Sequence, residues 1–195
     1  MLARLTMAAV IAVWACCDGL AFAMPPLPPQ AAPGDLIFRR GTENVSHLVQ
    51  AVDRGDFSHV GMLVGRPGQW QVLHATPSER PGQADAVVLD SLDFFLDARR
   101  AQAYRLYQVA SDPDTRERAV AWAMAQQGKP FQLQGDAEAL YCTTLVWQAW
   151  QQGGMDLGVV FTKVELPVLG GRYLLPGQLL HSSRLRPLTP LLSLH

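Results

Sequence analysis

The chain has 195 residues, sixteen Lys and Arg against seventeen Asp and Glu, a formal charge of −1, and hydrophobic side chains at 49% of positions. That length supports one compact domain with a proper core, and the spread of apolar residues confines disorder to short stretches. Near-zero charge without a basic run removes the electrostatic footprint that nucleic-acid or anionic-membrane binding requires, so no nucleic-acid partner is expected.

The first 23 residues stand apart. Arg4 is followed by an apolar run from Leu5 to Cys17, and Ala21-Phe22-Ala23 offers a small-x-small site for cleavage after Ala23. The run is too short for a permanent bilayer span, so residues 1–23 read as a signal peptide and the chain as exported, to a periplasm. The competing reading is a lipoprotein, since Ala15 precedes Cys16, although Trp14 fits the lipidation pattern poorly. Residues 24–33 are Pro-rich and read as an extended linker without a core of its own, leaving 34–195 as the domain. Cleavage removes Cys16 and Cys17, so Cys142 is the only remaining thiol and no internal disulfide can form. A lone cysteine in an oxidising compartment points either to burial or to a chemical role.

From Gly34 short strands alternate with helices. Leu36 to Arg39 reads as a strand, and Val45, Leu48, Val49 and Val52 recur at helical spacing until Gly55. In the next strand, Phe57 to Val64, His59 shares a face with Phe57, Gly61 and Leu63, while Val60, Met62 and Val64 form the apolar opposite face. The Arg66-Pro67-Gly68 turn joins it to a strand from Gln69 to Ala75, giving an antiparallel hairpin with His74 near its end. Ala86 to Leu89 and Tyr104 to Val109 are further strands, separated by a short helix from Leu92 to Asp97. Asp112 before Pro113 starts a helix that Gly128 and Pro130 end. A second helix begins near Tyr141, with Leu145, Val146, Ala149 and Trp150 at helical spacing until Gly153-Gly154. Gly158 to Val164 reads as a strand, Pro176-Gly177 as a turn, and the last ten residues show no periodicity.

Three residues can form a reaction centre: Cys142 at a helix start, His59 in a strand, and His74 in the paired strand. Unpaired amides and the positive dipole end favour thiolate at a helix N-terminus, which sets the expectation of a Cys142 pKa below the usual thiol value of about 8.5. Neighbouring strands of a hairpin lie about 5 Å apart, so His74 can hydrogen-bond the far nitrogen of His59 and orient it. A lone strand histidine is more often structural, and Phe57, Trp70, Trp147 and Trp150 read as core. His47 falls on the surface of its helix. His47, His59 and His74 lack the short paired spacing and acidic partner of a zinc site, there is no Gly-x-Ser-x-Gly elbow, and no glycine loop cradles a phosphate, so neither metal nor cofactor is expected.

Gly34-Asp35-Leu36-Ile37-Phe38, then Ser58-His59-Val60-Gly61-Met62-Leu63-Val64-Gly65, then Val72-Leu73-His74-Ala75 resemble the successive motifs of NlpC-type papain-like cysteine peptidases. Gly128-Lys129-Pro130-Phe131 and Tyr141-Cys142-Thr143-Thr144-Leu145-Val146 resemble the nucleophile segment of those enzymes, here placed last rather than first. That order is similar to the circularly permuted, YiiX/YaeF-like amidase branch. The resemblance covers about residues 34 to 152, and Pro176-Gly177-Gln178-Leu179-Leu180 with Ser182 is similar to the tail of the branch.

The resemblance implies an α+β, permuted papain-like fold, with an antiparallel sheet packed against helices and the nucleophile at a helix N-terminus. It implies Cys142 as nucleophile, His59 as general base and His74 as the third polar residue. Thr144 departs from the branch, where Glu is frequent, and the third position is itself often Glu. The implied chemistry is amide hydrolysis through a thioester, with the Cys142 backbone N–H as one oxyanion donor. Export makes a cell-wall peptide the expected substrate. Related lipid acyltransferases and lipases keep an acyl lipid open as partner, with association at the cell wall or a membrane surface. A non-catalytic peptide- or lipid-binding module is the alternative from another class; intact Cys142, His59 and His74 argue against it.

Overall fold

The computed structural model describes residues 27–165 and 170–194; the signal segment read over residues 1–23, with Cys16, lies outside them. In chain order the elements are β1 (Leu36–Gly41), α1 (Asn44–Asp53), β2 (His59–Arg66), β3 (Gln69–Thr76), β4 (Ala86–Ser91), α2 (Leu92–Phe95) and β5 (Ala101–Val109). There follow α3 (Pro113–Met124), α4 (Cys142–Gln152), β6 (Thr162–Val164), β7 (Gly171–Tyr173), α5 (Pro176–Leu180), β8 (Leu185–Pro187) and β9 (Leu192–Ser193). No described helix is long and apolar enough to cross a membrane.

The main sheet runs β4-β3-β2-β1-β5-β8, with β9 also pairing β5, and its ladders are antiparallel. Both faces are covered. Leu36, Phe38, Val60 and Met62 pack beneath Ala119 and Ala123 of α3 and Leu145, Val146, Ala149 and Trp150 of α4. Ile37, Leu63 and Val72 point the other way, against Leu92, Phe95 and Leu96. Two-sided burial explains why Leu36–Phe38 of β1 and 60–64 of β2 read as nearly unbroken apolar runs rather than strict alternations. The result is an α+β fold, an antiparallel sheet packed against helices.

Local chemistry places the helix starts. The Asp112 carboxylate accepts the Thr115 N–H at 2.9 Å and Pro113 occupies the first turn, so α3 begins where its side chains dictate. At α4 the Thr144 hydroxyl accepts from the Tyr141 N–H at 3.0 Å and donates to the Ala139 carbonyl at 2.6 Å. Through that pair of bonds Thr144 fixes the turn that presents Cys142. The buried Asp35 carboxylate ties three segments together, accepting from Ala32 N–H at 2.9 Å, Val109 N–H at 3.3 Å and Arg116 Nη1 at 2.8 Å.

Four regions differ from the sequence reading. Leu27 and Ala31 pack against the Leu92–Phe95 side of the sheet, so the end of the Pro-rich stretch has apolar contacts with the domain. The strand expected over 158–164 is confined to Thr162–Val164, paired with Gly171–Tyr173. The turn expected at Pro176-Gly177 is the first turn of α5, since proline's fixed φ suits a helix start as well as a turn. The last ten residues hold the end of β8 and all of β9, stretches of three and two residues too short to show a period but long enough to pair with β5.

Gly61 is packed closely against the neighbouring strand. A Cβ there would meet Val72 Cγ1 at 2.3 Å and His74 Cβ at 3.2 Å, so a side chain must displace the neighbouring strand. Gly61→Ala is expected to lower the urea midpoint, with a loss of about 1–3 kcal/mol and an unchanged m-value. An unaltered midpoint would mean that β2 and β3 separate without cost.

Candidate active site

The pairing of β2 with β3 sets Met62 opposite Leu73, which brings Gly61 opposite His74 and leaves His59 diagonal to it on the same face. Because Gly61 has no side chain, the His74 ring leans into the space beside it. His59 Nε2 and His74 Nδ1 lie 2.8 Å apart, with the rings edge to face at 82° and a centroid separation of 5.0 Å. Phe95 of α2 packs against both rings, at 5.7 Å from His59 and 5.0 Å from His74.

The row continues onto β4. His74 pairs with Val88, so Asp90 again lies on the diagonal, and its Oδ2 accepts from His74 Nε2 at 3.1 Å. The other oxygen, Oδ1, is held by Arg80 Nη1 at 2.6 Å, and the Arg80 guanidinium stacks over Phe94 at 3.6 Å. The sequence reading missed Asp90 because it ended β4 at Leu89. One more residue of the alternation Ala86, Val88, Asp90 would have put a carboxylate on the histidine face.

Arg39 of β1 lies buried beside the histidines, stacked on Phe95 at 4.5 Å and bonded to the Phe95 carbonyl at 2.9 Å and to Glu79 Oε1 at 2.5 Å. Burial, with Arg39 adding to it, holds both imidazoles below their usual pKa, His59 well below. Asp90 is held below the usual carboxylate range by its bonds to His74 and Arg80, which outweigh its burial. The resting row is therefore two neutral imidazoles against an ionised carboxylate.

Cys142 opens α4 and lies half-buried, its thiol close to the backbone amide of Val60, next in chain to His59. The expectation of a lowered thiol pKa is not met. Burial pushes the Cys142 thiol up to about 11, more than the Val60 and Thr143 bonds and the charge of Arg39 pull it down. The resting thiol is protonated. Cys142 and His59 line one cavity of about 200 Å³. Its wall on one side is α1, whose Val45, Leu48, Val49 and Val52 line the cavity, Val52 also packing against the cluster of Tyr141 and Tyr173, and Ser46 is the one buried residue of that helix. The opposite wall includes Phe131, Tyr173 and Leu175, and Asp53 at the end of α1 accepts the Gly177 N–H at 2.7 Å, which ties the two walls together. Of the aromatic residues read as core, Phe57 and Trp150 are fully buried, while Trp147 packs edge-on against Phe161 near the surface. His47 is exposed.

His59, His74 and Glu79 bring three metal-ligating atoms within 4.8 Å of one another, with Glu79 the acidic neighbour that the sequence spacing did not reveal. The donor set does not fit a cation. Two imidazole nitrogens bound to one zinc ion are spread to about 3.3 Å by tetrahedral geometry, whereas these face each other at 2.8 Å, the separation of a shared proton. One Glu79 oxygen, Oε1, already holds Arg39 and the Thr76 hydroxyl at 3.0 Å, while Oε2 makes no hydrogen bond and lies 3.5 Å from Arg100 Nε.

Residues 30–183 match the sequence profile of a family described as permuted papain-like amidase enzymes, YaeF/YiiX, C92 family. No curated protein matches. Among solved structures, the crystal structure of metalloprotein yiiX from Escherichia coli O157:H7 is similar, with a TM-score of 0.65 at 20% identity over 81% of this chain and 96% of that one.

The buried histidines give the fold a pH dependence of definite sign. Their folded-state pKa values lie below 6.5, so the unfolded chain binds protons more tightly. Stability is therefore full above pH 6.5 and is lost as pH falls towards the folded values. Each tenfold difference in proton affinity contributes about 1.4 kcal/mol, or about 3–6 °C in Tm for a chain of this size. The melting temperature is expected to fall between pH 7 and pH 5, and a His59→Gln, His74→Gln variant is expected to lose most of that slope. A flat profile in the parent chain would contradict neutral burial.

Proposed function

Because the chain belongs to the permuted papain-like amidase family of YaeF and YiiX, we propose that it hydrolyses an amide bond through a thioester on Cys142, with His59 as general base and His74 as its orienter. A cysteine hydrolase is the activity type the family carries. The observation that supports the residue roles is that Cys142 and His59 open on one cavity while His74 holds the far nitrogen of His59 at 2.8 Å.

His59 Nδ1 takes the Cys142 proton as the sulfur attacks the acyl carbon, because a thiol pushed up to about 11 gives no standing thiolate at neutral pH. The tetrahedral oxyanion faces the first amides of α4, including that of Cys142. As the carbon–nitrogen bond breaks, imidazolium returns its proton to the leaving nitrogen; water, deprotonated by His59, then cleaves the thioester and restores the thiol. No step passes through a metal. The yiiX structure is described as a metalloprotein, but the facing nitrogens here fit a proton between them.

Reading residues 1–23 as a signal peptide makes this an exported, periplasmic enzyme, and a cell-wall peptide is the amide it would meet there. The cavity favours a second reading, an acyl lipid: its walls are Val45, Leu48, Val49, Val52, Phe131 and Leu133, with Arg39, Glu43 and Glu79 at one margin.

Three outcomes are expected. Cys142→Ala abolishes turnover of peptide and ester substrates while EDTA leaves it unchanged, as initial rates would show; a surviving rate would remove the nucleophile. Iodoacetamide labels Cys142 with a midpoint above the reference of about 8.5; a midpoint near pH 6 would restore the standing ion pair. On p-nitrophenyl esters from acetyl to octanoyl, each methylene buried in the cavity contributes about 0.8 kcal/mol, about fourfold in kcat/KM, and Leu48→Glu flattens that series. A parent series without slope, together with release of peptides from a cell-wall digest, would leave the peptide reading alone.

A further inference from the structure

We propose that Asp90 is the positioning residue that fixes the proton arrangement of both histidines, and that Arg80 fixes which atom Asp90 turns towards them. The proposal rests on the reading of Cys142 and His59 as nucleophile and base.

Asp90 is 3% exposed and its two oxygens are divided, Oδ2 to His74 Nε2 at 3.1 Å and Oδ1 to Arg80 Nη1 at 2.6 Å. An ionised carboxylate only accepts, so His74 carries its proton on Nε2 and, being neutral, leaves Nδ1 bare. That bare nitrogen faces His59 Nε2 at 2.8 Å, so His59 in turn carries its proton on Nε2 and leaves Nδ1 bare. Bare Nδ1 is the atom that must take the thiol proton. One carboxylate, two strands away, thus decides which nitrogen of the base is free. The wrong proton arrangement would leave every heavy atom in place and the base occupied.

Asp90→Asn tests this because Arg80 has donors only. The amide keeps its carbonyl oxygen on Arg80 and turns its NH2 towards His74 Nε2. His74 must then carry its proton on Nδ1, His59 receives that bond at Nε2, and its own proton moves to Nδ1. Asp90→Asn is expected to stay folded by circular dichroism and to lose at least a hundredfold in kcat/KM on p-nitrophenyl butyrate, as wrong-tautomer substitutions do. Adding Arg80→Met frees the amide to turn its oxygen inward and is expected to recover at least tenfold; a purely structural role for Asp90 predicts a further loss instead. Long-range proton–nitrogen NMR reads the arrangement without any substrate: both rings Nε2–H in the parent chain, both Nδ1–H in Asp90→Asn. Nδ1–H on His59 in the parent chain, unchanged tautomers in Asp90→Asn, or no recovery in the double variant would each overturn the proposal. If Cys142→Ala retained ester turnover, the nucleophile assignment would fall while the NMR result still decided the role of Asp90.

Discussion

A sheet covered on both faces leaves no water for an ionisable side chain, and that constraint governs the site. Buried polar groups must be satisfied by one another or cost about 1–3 kcal/mol each. Across β2, β3 and β4 the solution is a diagonal row, His59 to His74 to Asp90, closed at the solvent end by Arg80. A second pairing runs beside it, in which Arg39 bonds Glu79 and the Phe95 carbonyl. The row is possible only because Gly61 leaves room for His74 to lean towards His59. Remove that space and the imidazoles lose their contact, and with it the satisfaction that permits their burial.

The same constraint separates what could be read in the sequence from what could not. Strands β1, β2 and β3 and helices α3 and α4 were legible because their cores and caps are local: apolar runs, Asp112 before Pro113, Gly153 after Trp150. His59, His74 and Cys142 were legible as candidates because the hairpin and the helix start are local as well. Asp90 was not, since its partner is a histidine sixteen residues away on another strand and nothing in Leu89-Asp90-Ser91 marks the residue as buried. Strands β8 and β9 escaped for a related reason, because a two- or three-residue strand owes its existence to the edge of β5 rather than to its own pattern.

Helix α1 shows where periodicity misleads. Val45, Leu48, Val49 and Val52 form the stripe expected of a helix packed on a core, yet the stripe lines the cavity and Leu48 is 39% exposed. Burial of an apolar stripe supplies most of the stability of a helix of ten residues, which is too short to persist alone. Here the ends hold the helix instead: Ser46 donates to Glu43 at 2.9 Å, Arg54 closes the helix in the left-handed conformation at φ 55°, and Asp53 anchors it to α5. An apolar surface is thereby held beside the thiol without being consumed by the core.

The protonated thiol follows from that enclosure, and it shapes the proposed reaction. With Cys142 pushed up to about 11 and His59 held well below its usual value, charge separation belongs to the transition state rather than the resting site. What matters is then how well the forming charges are met. In the proposed reaction thiolate and oxyanion develop against the N-terminal amides of α4 and near Arg39, while imidazolium develops on a ring whose neighbour leads directly to an ionised Asp90. Arg39 opposes the imidazolium while it favours the thiolate, and Glu79 at 2.5 Å screens it. In the proposed reaction Asp90, itself paired with Arg80, is the negative group that reaches through His74 to the ring that becomes positive.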